Sequence, residues 1–322
     1  FTKSHSEITS GTLSPFYVDT WIENSNVFYT KGNQMNHNLE KKLQNYYKEI
    51  NNILPLEIDF NFFKLEVDRS GANIYRSNEV YLDSKNKIYD EIRKIYSPEY
   101  VIDVGANIGF STILFSKVFN PKKIISIEPN RNLIEIIKRN CHINRVENAN
   151  VLNVLIGDSK KELKKFQINT MMSVDSRVSS LKSNFEEVDV MSTSIDLISK
   201  EYNIEKESSV FIKIDTQGYE EEVLKGMKEL LNTFEQYCIV MEFAPYWLEE
   251  AGTHPDKFIR EVFSSFNVCE FPIDNSFYPI DLLEYQKNTL KPFQANDFVK
   301  HVKSLRRNNK GWVDLMIYKN KS

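Results

Sequence analysis

A chain of 322 residues, 41% apolar and 27% charged, is long enough to bury a substantial core and has the composition of a globular protein. Its formal net charge of −4 supplies no bulk attraction for nucleic acid, which is therefore not expected as a partner. No apolar run approaches the roughly 20 residues that a membrane-spanning helix needs. The 3 cysteines, Cys141, Cys238 and Cys269, lie far apart without ligand spacing, so they read as buried free thiols and not as a zinc site. Opening on Phe1 instead of Met, the chain reads as a fragment, a trimmed form or a processed product.

In chain order, residues 1–35 mix Ser, Thr, Gly and Asn without a sustained period. Asn38 to Ile53 places Leu39, Leu43, Tyr46, Tyr47 and Ile50 at helical spacing. Residues 56–82 alternate in "EIDFNFFKLEV" and "NEVYL", with "DRSGAN" as the turn of a hairpin. Residues 1–84 are thus expected to form an N-terminal extension of irregular segment, helix and β-hairpin. From residue 85 to 322 strands alternate with helices, the pattern of a mostly parallel sheet in an αβα sandwich. Strands are expected at Val101–Val104, in "KIISIEPN", in "VLNVLIGDS", in "VDVMS", in "VFIKID", in "YCIVMEF" and in "WVDLMIYK". Helices fall between them, including one continuous helix in "EEEVLKGMKELLN". Polar residues cluster at the strand ends, where such sheets bind ligands.

The stretch "VIDVGANIGFST" carries Gly105 and Gly109 but lacks the third glycine of the dinucleotide fingerprint. Asp103 sits two residues before the first glycine, where a carboxylate disfavours a pyrophosphate and suits a cation, hydroxyls or amines. Glu128 ends the next strand about 20 residues after the glycines, where one carboxylate accepts both hydroxyls of a ribose. Asp158 follows the third strand and can accept from an adenine amino group, or can cap a following helix. A NAD-dependent oxidoreductase remains open on Glu128 alone, and so does a non-catalytic domain of a larger assembly.

Taken with "ISIEPN" and "CIVMEF" in the same order, the pair "VIDVGANIGFST" and "FIKIDTQGYEEEVLKGMKELL" resembles the FkbM family of S-adenosylmethionine-dependent O-methyltransferases. The likeness covers roughly residues 85–245. It implies a Rossmann-like class I methyltransferase fold and S-adenosylmethionine as cofactor. It also implies a sugar, glycan, glycolipid or secondary metabolite as hydroxyl acceptor. By motif position the cofactor would meet Asp103, Gly105, Ala106, Asn107, Gly109, Ser111, Glu128, Asn130 and Asp158, with Asp215 beside the donor methyl. Family members commonly carry Glu where this chain has Gln217, so position 217 is expected to touch substrate and not to act as an obligatory base.

An in-line displacement needs oxygen, carbon and sulfur held collinear, and an aliphatic hydroxyl benefits from a nearby base. Asp215 and Glu242 end adjacent strands, Glu220 opens the next helix and His254 follows the fifth strand, so these four are the candidate catalytic residues. Tyr246 and Trp247 are candidates for stacking on the acceptor. No dense Asp/Asn cluster points to a metal. The basic run "KHVKSLRRNNK" allows peripheral contact with a membrane surface or an acidic acceptor, within an expected cytoplasmic location. Nothing in the sequence sets the oligomeric state. A side chain at Gly105 is expected to abolish cofactor binding before it disturbs the fold.

Overall fold

The computed structural model describes residues 57–59, 63–67, 89–158, 161–169, 176–178, 185–270 and 289–319. The expected helix at 38–53, the turn at 68–73 and the strand at 78–82 lie outside them. The described chain begins with β1 (Glu57–Asp59) antiparallel to β2 (Lys64–Glu66), with Ile58 opposite Leu65. The hairpin therefore closes within the stretch that the sequence reads as one strand. Apolar residues at alternate positions are the reason β2 is buried on one face: Phe63, Leu65 and Val67 enter the same core as Val101, Ile113 and Ile137. Among the described residues, these strands share one core with the following domain.

A helical stretch at 89–95 leads to β3 (Tyr100–Val104), α1 (Phe110–Phe119), β4 (Lys123–Ile127), α2 (Arg131–Ile143) and β5 (Ala149–Leu152). A smaller sheet follows, with β6 (Leu155–Ile156), β7 (Leu163–Asn169) and β8 (Phe185–Thr193) in the order β6-β8-β7. The main sheet resumes through α3 (Ile195–Glu201), β9 (Val210–Ile214), α4 (Glu220–Lys225), α5 (Lys228–Thr233) and β10 (Tyr237–Phe243). It ends with α6 (Pro245–Glu250), α7 (Pro255–Ser265), β11 (Asn267–Glu270), α8 (Ala295–Ser304) and β12 (Val313–Lys319).

Seven strands form the main sheet in the order β11-β12-β10-β9-β3-β4-β5. All neighbours pair in parallel except β12, which runs antiparallel to both β10 and β11. One hydrophobic cluster fills each face, so β3 and β9 are buried on both sides and read as continuous apolar runs broken only by Asp103 and Lys213. This is a Rossmann-like αβα sandwich with a mostly parallel sheet. Because β3 is flanked by β4 on one side and β9 on the other, strand order reverses there. The crevice over those carboxyl ends is where an open α/β sheet takes its ligands.

Four elements depart from expectation. The single strand expected in "VLNVLIGDS" is two, β5 in the main sheet and β6 in the smaller one. The polar stretch before residue 184 contains β7, whose alternation is hidden by two consecutive lysines, Lys164 and Lys165, and by an exposed Leu163. The short β11 carries too few residues to show a period. The long helix after Tyr219 is two helices, because the Asp196 carboxylate caps the second by accepting from the amides of Glu229 and Leu230.

Candidate active site

A cleft of about 290 Å³ lies over the carboxyl ends of β3, β4 and β9 and reaches β10 and β12. Its first half is made by the β3–α1 loop. Gly105 and Ala106 donate their amides to the Ile127 carbonyl, and Asp215 donates its own to Val104, so the ends of β3, β4 and β9 are stitched by backbone. Gly105 has φ +83°, and a Cβ there would stand 1.9 Å from the Asp215 carbonyl oxygen. The expectation that a side chain at Gly105 spares the fold is therefore overturned, because the substitution would push the backbone at the carboxyl end of β9.

Glu128 closes this half. One carboxylate oxygen accepts from Asn107 N at 2.8 Å and the other from Asn130 N at 2.8 Å. Burial outweighs those two amides and pushes its carboxyl up to about 7. Pro129, Val154, Leu155 and Ile156 form an apolar wall beside it.

The second half is made by side chains at the ends of β9 and β10. Lys213 Nζ lies 2.9 Å from Asp215 Oδ2. Gln217, held at φ +53°, points its Nε2 between two carboxylates and donates to Asp215 Oδ1 at 3.0 Å and to Glu242 Oε2 at 3.1 Å. Burial, and then the neighbouring Asp215 charge, push the Glu242 carboxyl well above the usual carboxylate range. Trp312 and Asp314 complete the wall from β12. That strand runs antiparallel, so its first residues sit at the edge where its neighbours end.

Of the residues singled out in the sequence, the cleft brings together Gly105, Ala106, Asn107, Ser111, Glu128, Asp215, Gln217 and Glu242. Eight others stand off its wall. Asp103 is fully buried beneath the loop, where it accepts from Ser111 Oγ and Thr112 Oγ1 and anchors the first turn of α1; a ligand does not reach it. Gly109 sits against Ile137 at the α1–α2 junction, and Asn130 caps α2 by accepting from Asn132 N. Asp158 stands outside the cleft lining, with Oδ1 3.8 Å from Lys164 Nζ of β7. Glu220 accepts from the amides of Thr216 and Gly218 and from the Thr216 hydroxyl, so it shapes the turn that presents Gln217. His254 is exposed at the N-terminus of α7. Tyr246 donates to Glu250, and Trp247 stacks under the Arg177 guanidinium at 3.9 Å, which takes both aromatics out of the cleft.

Sequence reasoning missed Lys213, Trp312 and Asp314. A lysine inside an otherwise apolar strand was the available signal for the first. The other two needed the direction of β12.

A family model described as the Methyltransferase FkbM domain matches residues 103–271. The chain belongs to that family. It is an S-adenosylmethionine-dependent methyltransferase, which settles the cofactor choice left open by Glu128 against NAD. No curated protein matches the sequence. Among solved structures, TYW2 of M. jannaschii in complex with AdoMet aligns at 12% identity and TM-score 0.35, over 81% of this chain and 82% of that one. The plantazolicin methyltransferase BamL, in complex with a triazolic desmethylPZN analog and SAH, aligns at 12% identity and TM-score 0.40, over 77% and 88%. An rRNA methylase from Streptococcus thermophilus aligns at 8% identity and TM-score 0.34, over 72% and 93%. Among the described residues, no helix is long and apolar enough to cross a membrane.

Proposed function

We propose that this methyltransferase moves the methyl group of S-adenosylmethionine to a hydroxyl of a sugar, glycan, glycolipid or secondary metabolite by in-line displacement. The observation that carries the reading is the Asp215–Gln217–Glu242 constellation, set at adjacent strand ends beside Gly105. When bound, the cofactor supplies a methyl on a sulfonium, whose carbon–sulfur bond breaks as the acceptor oxygen takes the carbon.

The cleft's own groups suit that cofactor. Each Glu128 oxygen accepts one backbone amide and keeps a further lone pair for a ribose hydroxyl. Pro129, Val154 and Ile156 offer the apolar wall that a flat base needs. Glu242 takes the acceptor proton. Its raised proton affinity makes it a stronger base than an ordinary carboxylate, while Lys213 holds the charge on Asp215 and the Gln217 amide fixes both carboxylates in place. Trp312 offers an aromatic face for the CH surface of a sugar.

The test is transfer of labelled methyl from S-adenosylmethionine into fractionated glycans and lipids of the source organism, with Glu242→Gln in parallel. The expected product is an alkali-stable methyl ether that the variant does not form. Label in an ester or an amine refutes hydroxyl transfer. Tight cofactor binding without transfer to any fraction favours a non-catalytic domain.

A further inference from the structure

We propose that the N-terminal strand β2 is a positioning element of the cofactor site, coupled to the Gly105–Gly109 loop through Asn140. The inference rests on the reading that this loop cradles S-adenosylmethionine, and it extends the methyltransferase unit back to residue 57 from the boundary expected near residue 85.

Two asparagines one turn apart, Asn140 on α2 and Asn144 at its C-cap, act as the neighbouring strand of β2. Lys64 N donates to Asn144 Oδ1 at 3.0 Å, and Asn144 Nδ2 donates back to the Lys64 carbonyl at 2.6 Å. Glu66 N donates to Asn140 Oδ1 at 2.6 Å, and Asn140 Nδ2 returns a bond to the Glu66 carbonyl at 2.7 Å. A side-chain amide presents donor and acceptor together as a peptide group does, which is why asparagine serves here. The spacing also fits, since four helical residues rise about 6 Å and two strand residues about 6.8 Å. The edge of β2 is thereby satisfied without another strand.

The coupling lies in a shared atom. Asn140 Nδ2, in a fully buried side chain, also donates to the Ile108 carbonyl at 2.8 Å, inside the cofactor loop. A second contact runs in parallel, because the Phe63 ring packs 5.4 Å from that of Phe110, which lines the cleft and opens α1. Leu65 and Val67 share a core with Ala106 and Ile108 of the same loop. The neighbouring Arg139 adds two bonds of 2.8 Å to the Glu66 carboxylate. Docking of β2 and order in the loop therefore depend on the same groups. A ligand that orders the loop must stabilise the docked strand by the factor with which the strand favours the ligand.

The experiment measures S-adenosylhomocysteine binding by calorimetry for the full chain, Asn144→Ala, Asn140→Ala and Glu128→Gln. Alongside it, hydrogen exchange at the Lys64 and Glu66 amides is followed in the wild type with and without that ligand. Asn144 touches the strand and not the loop, so its replacement is expected to weaken binding about fivefold, the low end of ordinary coupling between sites. Asn140→Ala is expected to weaken it further. The ligand should slow exchange at Lys64 and Glu66 by a comparable factor, a readout that needs no variant to fold. Unchanged affinity in Asn144→Ala, or exchange at those amides indifferent to ligand, overturns the coupling. If Glu128→Gln still weakens binding in that case, the cofactor-site reading survives alone. If Glu128→Gln and Asn140→Ala both bind like the wild type, the loop is not the cofactor site and both readings fall.

Discussion

The two halves of the cleft are built from different material. Over β3 and β4 the wall is mostly backbone: the Gly105 and Ala106 amides tie down the loop, and Glu128 is gripped by the Asn107 and Asn130 amides. Over β9, β10 and β12 it is side chain against side chain, with Lys213, Asp215, Gln217 and Glu242 in one chain of contacts. A backbone wall leaves little room for substitution and suits a ligand that never changes. A side-chain wall can be rebuilt residue by residue, as an acceptor site requires.

The largest expected effect is at the seam between the halves. Gly105→Ala places a Cβ 1.9 Å from the Asp215 carbonyl oxygen at a φ of +83°, and the left-handed conformation alone costs about 1–2 kcal/mol. Loss of S-adenosylhomocysteine binding together with a lowered melting temperature is expected, and wild-type values for both would show that the seam is not tight.

Next comes Glu242→Gln, which should lower turnover about 10²- to 10⁴-fold while cofactor affinity stays within about twofold. The base must be unprotonated to act, so wild-type turnover should climb as pH rises through its raised pKa, and the variant should lack that limb. A parallel loss of cofactor binding would erase the distinction between the halves.

A smaller effect is expected at Glu128. Ribose hydroxyls donate to the ionised carboxylate, so cofactor affinity should fall as pH drops below about 7. Glu128→Gln should bind about tenfold or more weakly at high pH, the worth of a hydrogen bond to a charged group, and should flatten the profile. Stability of the free protein runs the other way. A carboxyl raised by burial favours the fold when protonated, and that contribution is lost as pH climbs from the ordinary glutamate range through about 7. Thermal melts at pH 5 and pH 8 for both forms measure it.

The smallest change is Trp312→Ala, expected to raise the acceptor KM about two- to tenfold, the range of an aromatic contact, and to leave cofactor affinity alone. An unchanged KM would place the acceptor elsewhere.

How far the site could be read from sequence follows the same division. Gly105, Asn107 and Glu128 were legible because a strand, a tight turn and a helix start impose residue types at fixed spacing. Asp215 and Glu242 were legible as strand-end acids. Asp103 looked equally suited, yet its side chain turns under the loop to meet Ser111 and Thr112. Trp247 and Trp312 each adjoin a strand, and the sequence singled out only the first. Trp247 is stacked under Arg177, which β7 brings across through its bridge at Gln167. Trp312 reaches the cleft because β12 runs backwards.

By itself the sequence determined the family, the order of most elements and the tight β3–α1 loop that lines the cleft, since periodicity and turn chemistry are local properties of neighbouring residues. Only the tertiary structure decided which acids face the cleft, and it alone placed Lys213 and Trp312 on the wall. It also drew β2 into the core through Asn140 and Asn144. Those outcomes depend on strand direction and on contacts between residues more than 70 positions apart, such as Glu66 with Asn140, and no local pattern encodes them.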